Sequence, residues 1–155
     1  MPSPADNYLS ISASFTLTDG ISGGTWSSSN TSATVSGGVV TSISLGVDTI
    51  DYTVSNSCGT AISTKVITVS PLPNAGSIIG GSNVCIGSII TLTDGITGGT
   101  WNTSNANATV IGGLVTGVIA GSDTISYLIT NVCGSATVSS IITINPLPNA
   151  GVITY

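Results

Sequence analysis

The chain has 155 residues, a net charge of -5 and a single cation, Lys65; it contains no Arg, His or Glu. So little positive charge argues against nucleic-acid binding, which needs Lys and Arg on phosphates, and against docking on an anionic membrane surface. Hydrophobic residues make up 41% of the chain, too many for a disordered tail, while serine and threonine supply roughly a third and do the solubilising that charges usually do.

In chain order, Met1 ahead of Pro2-Ser3-Pro4 reads as an added start, with any native export signal expected upstream. Phe15–Thr18 predicts an early strand, and Asp19-Gly20 and Gly23-Gly24 predict turns. Trp26 follows, and Gly37-Gly38 marks another turn. Ile50, Tyr52 and Val54 then alternate on one face, the period of two that a half-buried strand requires. Cys58-Gly59 closes that segment and Val66–Val69 reads as a last strand. The stiff connector PLPNAG (residues 71–76) comes next, extended because proline fixes φ and restricts the residue before it.

The whole series then returns 75 residues later. TLTDGISGGTW at Thr16–Trp26 becomes TLTDGITGGTW at Thr91–Trp101, Asp48-Thr49-Ile50 becomes Asp123-Thr124-Ile125, Cys58-Gly59 becomes Cys133-Gly134, and PLPNAG recurs at residues 146–151. Ile125, Tyr127 and Ile129 share a face as their counterparts do, Ile89–Thr93 matches the early strand, and Ile141–Ile144 the last. From Phe15 onward no gap is needed and more than half of the aligned positions are identical. The expected organisation is a first repeat at 1–72 with a shortened N-terminal strand, a second at 73–148, and the start of a third at 149–155. No stretch has helical periodicity, and β-branched residues dominate, so the expected fold is all-β. Seven or so short strands per unit point to two tandem immunoglobulin-like β-sandwich domains. A β-helix is the competitor, though 75 residues is long for one coil.

Several side chains invite a chemical reading. Catalysis fails on inventory: without His or Glu, and with Lys65 replaced by Ser140 in the second unit, Asp is the only ordinary general base, so the chain is not expected to be an enzyme. No cofactor or metal is expected. Three cysteines without histidine lack a tetrahedral set, and calcium wants several converging oxygens where only Asp48 and Asp51 are close. Cys85 and Cys133 begin an early strand and end a late one, and a disulfide between them is expected, worth about 2–4 kcal/mol. Cys58 is then an unpaired thiol, because Ser10 stands where Cys85 would. A Cys58–Cys85 pair is the alternative. Trp26, Trp101, Tyr52 and Tyr127 read as framework core; exposed Trp rings would instead suit a carbohydrate binder, and threonine ladders an ice-binding surface. Val152 to Tyr155 correspond to the opening strand of the second unit, which suggests a homotypic head-to-tail contact by strand addition, leading to a filament. No segment is expected to insert in a membrane.

The order of motifs also resembles a known family. Trp101–Gly121, WNTSNANATVIGGLVTGVIAG, is similar to the core of bacterial group-2 immunoglobulin-like repeats. With Val84-Cys85-Ile86-Gly87, Asn131–Gly134 and PLPNAG, it resembles repeats in very long surface proteins of Bacteroidetes. That resemblance implies a bacterial extracellular, secreted stalk or adhesin module whose partners are neighbouring repeats of the same protein. It carries no catalytic residues. It further implies Thr49 and Thr124, within Asp-Thr-Ile, as O-glycan acceptors. The first unit departs from the pattern at Ser42, where the family has glycine.

Overall fold

The computed structural model describes residues 7–155 and divides them into two compact units. No described residue is helical. The expected shortened opening strand of the first unit falls partly on residues 1–6, which lie outside the described residues.

The first unit is built from β1 (Tyr8–Ser10), β2 (Ser14–Thr16), β3 (Thr25–Ser28), β4 (Ala33–Ser36), β5 (Val39–Ser42), β6 (Gly46–Asn56) and β7 (Gly59–Ser70). One sheet has the order β1-β7-β6-β3 and the other β2-β5-β4. β1 is parallel to β7, Leu9 opposite Val69; the remaining pairs are antiparallel, with Ile50 opposite Lys65 and Trp26 opposite Tyr52. Apolar residues of both sheets meet inside. Leu9, Ala33, Val40, Ile50 and Ile67 are all buried together, with Phe15, Leu17, Trp26 and Val35 packed against them. Each fully buried Ile is worth about 1.5–3 kcal/mol relative to leaving it in water.

The second unit repeats the plan with β8 (Ile78–Gly80), β9 (Asn83–Cys85), β10 (Ile89–Asp94), β11 (Thr100–Thr103), β12 (Ala108–Ile111), β13 (Leu114–Gly117), β14 (Gly121–Asn131) and β15 (Gly134–Asn145). Its sheets are β9-β15-β14-β11 and β8-β10-β13-β12. The core holds Val84, Leu92, Ala108, Val115, Ile125, Ile142 and Ile144. Each unit is thus an immunoglobulin-like β-sandwich, as the alternation and turn spacing predict.

One turn shows why the glycines recur. Gly37 and Gly38 have φ of +55° and +86°, and Gly112 and Gly113 have +57° and +87°. Two consecutive left-handed residues form the tight hairpin that matches strand twist, and only glycine adopts it without strain. A Cβ on Gly38 would also come within 2.5 Å of the Leu17 carbonyl oxygen, and one on Gly113 within 2.3 Å of that of Leu92.

Candidate functional site

The most unusual groups in each unit are a buried carboxylate and a buried phenol. On β6 the inward phase that carries Ile50 and Tyr52 also carries Asp48, two residues earlier; on β14 it carries Asp123. Each aspartate is 1% exposed. Burying a charge without partners is very unfavourable, so the chain surrounds it with donors. Oδ1 of Asp48 accepts from the Ser29 backbone N–H at 3.1 Å, the Ser29 hydroxyl at 2.9 Å and the Asn30 N–H at 3.3 Å. Its Oδ2 accepts from the Ser28 hydroxyl at 2.8 Å and the Ala33 N–H at 2.9 Å. Asp123 repeats the arrangement with Ser104 N–H and hydroxyl at 2.9 Å each, Asn105 N–H at 3.2 Å and Ala108 N–H at 3.0 Å. Burial opposes ionisation of Asp48, but the hydrogen bonds from Ser28, Ser29, Ala33 and Asn30 outweigh it and hold its carboxyl below the usual carboxylate range. The carboxylate thereby fixes the loop between β3 and β4.

The phenol fixes the loop before β3. Tyr52 donates to the Ile21 carbonyl at 2.6 Å and accepts from the Gly24 N–H at 2.9 Å. Tyr127 does the same with Ile96 at 2.7 Å and Gly99 at 2.8 Å. Trp26 and Trp101 are half-buried and lean on these rings, with centroids 4.7 and 4.8 Å apart at 45°. A Cβ on Gly24 or Gly99 would lie 2.4 Å from the tyrosine Cζ, which is why the second residue of each Gly-Gly-Thr-Trp run is glycine.

The cysteine expectation is corrected. Cys58, Cys85 and Cys133 are free thiols, the first two exposed. Cys85 sits beside Asn145, the last residue of β15, whereas Cys133 immediately precedes Gly134, its first. Twelve residues of strand separate these ends, roughly 40 Å at about 3.3 Å per residue, against the approximately 7 Å that a disulfide tolerates between Cα atoms. Cys-Gly recurs for another reason: it belongs to a hairpin tip in which Asn56 Oδ1 accepts the Cys58 N–H at 2.8 Å, and Asn131 Oδ1 the Cys133 N–H at 2.8 Å.

Asp-Thr-Ile reads differently in three dimensions. The aspartate of the motif faces the core and is fully used, while Thr49 and Thr124 are half-buried on the opposite side of their strands. Asp48 and Asp51 point to opposite faces of β6, so they do not converge. Among the described residues no three His, Cys, Asp or Glu side chains are grouped to hold a metal, and no helix is long and apolar enough to cross a membrane. Asp19 and Asp94 serve turns, each accepting the N–H two residues on, from Ile21 and Ile96, at 2.8 Å. What sequence reasoning missed is the role of Asp48 and Asp123. The signal was present: a carboxylate in phase with inward Ile and Tyr, in both copies.

No protein-family model matches the chain, and no curated protein matches it. Solved structures do. The S-layer protein rSbsC is similar over 85% of this chain at 23% identity and a TM-score of 0.35; the chain spans 21% of that protein's length. A titin structure of domains I67–I69 is similar over 90% of the chain and 62% of its own, at 12% identity and a TM-score of 0.43. Sidekick-1 immunoglobulin domains 1–5 are similar over 90% of the chain and 38% of their own, at 12% identity and a TM-score of 0.28. By its own strand order and core, the chain is a tandem pair of immunoglobulin-like domains.

Proposed function

We propose that the chain is a non-catalytic structural spacer from the stalk of a bacterial extracellular surface or adhesin protein. The observation that carries this reading is where the two units agree. Asp48 and Asp123, Tyr52 and Tyr127, Trp26 and Trp101, and the paired glycine turns recur at one offset, and each is engaged in holding loops and sheets of its own unit. What the repeat preserves is therefore the scaffold. The groups that differ between copies, such as Lys65 and Asp51, are those a shared reactive site would need to keep. Few charges and many hydroxyls suit a surface that stays soluble without attracting ions or nucleic acid.

The test is made in the parent gene. In-frame excision of one 75-residue unit is expected to shorten the surface projection by one domain in electron micrographs and to leave its binding specificity unchanged. Loss of a binding or enzymatic activity, with the projection otherwise intact, would refute the spacer reading. Protease shaving of whole cells is expected to release peptides of this chain; their absence from the shaved fraction argues against a surface position.

A further inference from the structure

In the second unit β15 is much longer than the strand on its outer side. β9 pairs only with Thr143, Ile144 and Asn145. The Thr143 N–H points outward and donates to the Ser82 carbonyl at 2.8 Å, and the Asn145 carbonyl accepts the Ile86 N–H at 3.0 Å. Backbone groups alternate in direction along a strand, so Ser135, Thr137, Ser139 and Ile141 also turn their N–H and C=O groups away from β14. The second unit from β8 to β14 lies wholly within the described residues, and none of its strands covers this edge.

Natural proteins guard such edges with charge, proline or bulges, because a row of unpaired N–H and C=O groups invites another strand. Residues Ser135 to Ile142 include no charge, no proline and no glycine. The first unit differs at one position: Lys65 stands where the second has Ser140. Lys65 lies opposite Ile50, on the inward phase of β7, and is half-buried. An inward charge near a strand edge keeps its ammonium in water only while that edge stays open, so a strand laid there would shut it in. The second unit lacks this guard. The charge pattern also suits a strand meeting its own copy: β15 has no charged residue, and the one on β14, Asp123, is 1% exposed.

We propose that Ser135–Ile141 of two copies pair as antiparallel strands about a two-fold axis at Val138. Ser135 then stands opposite Ile141 of the second copy, Thr137 opposite Ser139, Ala136 opposite Ser140, and Val138 opposite itself. In this register every outward N–H and C=O of the segment finds a partner, and no like charges meet. Ile141, 65% exposed, gains cover from the added strand. A two-fold contact closes on itself, so the product is a side-by-side dimer and not a fibre.

The contact lies beyond the spacer reading and is tested independently of it, on the 155-residue chain alone. Sedimentation over a rising concentration series is expected to show reversible growth from monomer to dimer and no further. Ser140→Lys should weaken the dimer about tenfold or more; the first unit already carries lysine at this position, so the fold accommodates it. Ser139→Pro removes one outward N–H, spares the bonds to β14 and should weaken it similarly, with amide NMR of the monomer checking the fold. In a background with Cys58→Ser, Cys85→Ser and Cys133→Ser, Val138→Cys should form a disulfide between copies in a glutathione buffer, since directly opposed residues of a wide pair lie about 4.5 Å apart between Cα atoms. Thr137→Cys, set opposite Ser139, should not. A monomer at every concentration overturns the proposal, as does growth without limit. So does association that Ser140→Lys leaves unchanged, or a Thr137→Cys crosslink as complete as that of Val138→Cys.

Discussion

The two units solve the same packing problem with different opening segments. In the second, β8 and β9 supply a strand to each sheet, and Gly117 lies so close to β9 that a Cβ would sit 2.7 Å from the Cys85 carbonyl oxygen. In the first, Ser42 occupies that position, 2% exposed. Its hydroxyl donates to the Ser10 carbonyl at 2.6 Å and accepts the Ala13 N–H at 3.1 Å, so a side chain ties down the segment that the second unit packs by close backbone approach. Ser12 takes the left-handed φ of +65° at the position where the second unit has Gly87 at +79°. Around Asp48 and Asp123, by contrast, the units share four donors, and only the Ser28 hydroxyl, where the second unit has Thr103, is particular to the first. The scaffold is thus invariant where loops are tied to buried polar groups, and variable where the chain enters.

The comparison is broken most forcefully at the shared carboxylates. Asp48→Ala or Asp123→Ala leaves several buried donors unpaired and should cost the affected unit about 3–5 kcal/mol. That approaches the whole stability of a small domain. Backbone amide NMR, which resolves the units separately, should show one unit unfolded and the other retained. Core truncation should separate the units: Leu92→Ala should cost about 2–5 kcal/mol and Leu17→Ala distinctly less, because Leu17 is only half-buried. Equal losses in denaturant unfolding would mean that the first-unit edge is as well covered as the second. Gly24→Ala and Gly99→Ala push a methyl against the tyrosine ring and should each cost about 1–3 kcal/mol, equally in both units.

Acid adds a subtler test. The folded state holds the Asp48 carboxyl below its ordinary range, through hydrogen bonds that outweigh the opposing effect of burial. Its contribution is therefore fully present above the unfolded value of about 3.9 and is lost as pH falls through the lower folded value. The first unit should weaken below about pH 4, and Asp48→Asn should flatten that limb of its stability curve. An acid limb identical in the variant would assign the effect to another group.

Much of this architecture was legible in the residues. Period-two runs placed Ile50, Tyr52, Ile125 and Tyr127 inward, and Gly-Gly pairs marked the hairpins. The cysteines misled because order along the chain shows which strands carry them but not which end of a strand faces which. β9 lies beside the far end of β15, a matter of register alone. β15 itself runs from Gly134 to Asn145, well beyond the apolar stretch Ile141–Ile144, since its first half is mostly exposed and lacks the apolar alternation. The aspartates were read through their local motif and not through their phase on the strand, which hid their role at the core.

The parallel pairing of β1 with β7, and of β9 with β15, has a mechanical consequence. In the first unit the described chain enters on β1 and leaves on β7, the two strands of such a pair; in the second, β8 precedes β9 and the chain leaves on β15. Tension applied along the polypeptide therefore slides the two strands past each other and loads their hydrogen bonds together in shear, not one at a time as in peeling. Rupture then requires several bonds to fail at once. The short parallel patch at the edge of the first unit works as a latch against pulling, whatever the thermal stability of the sandwich behind it.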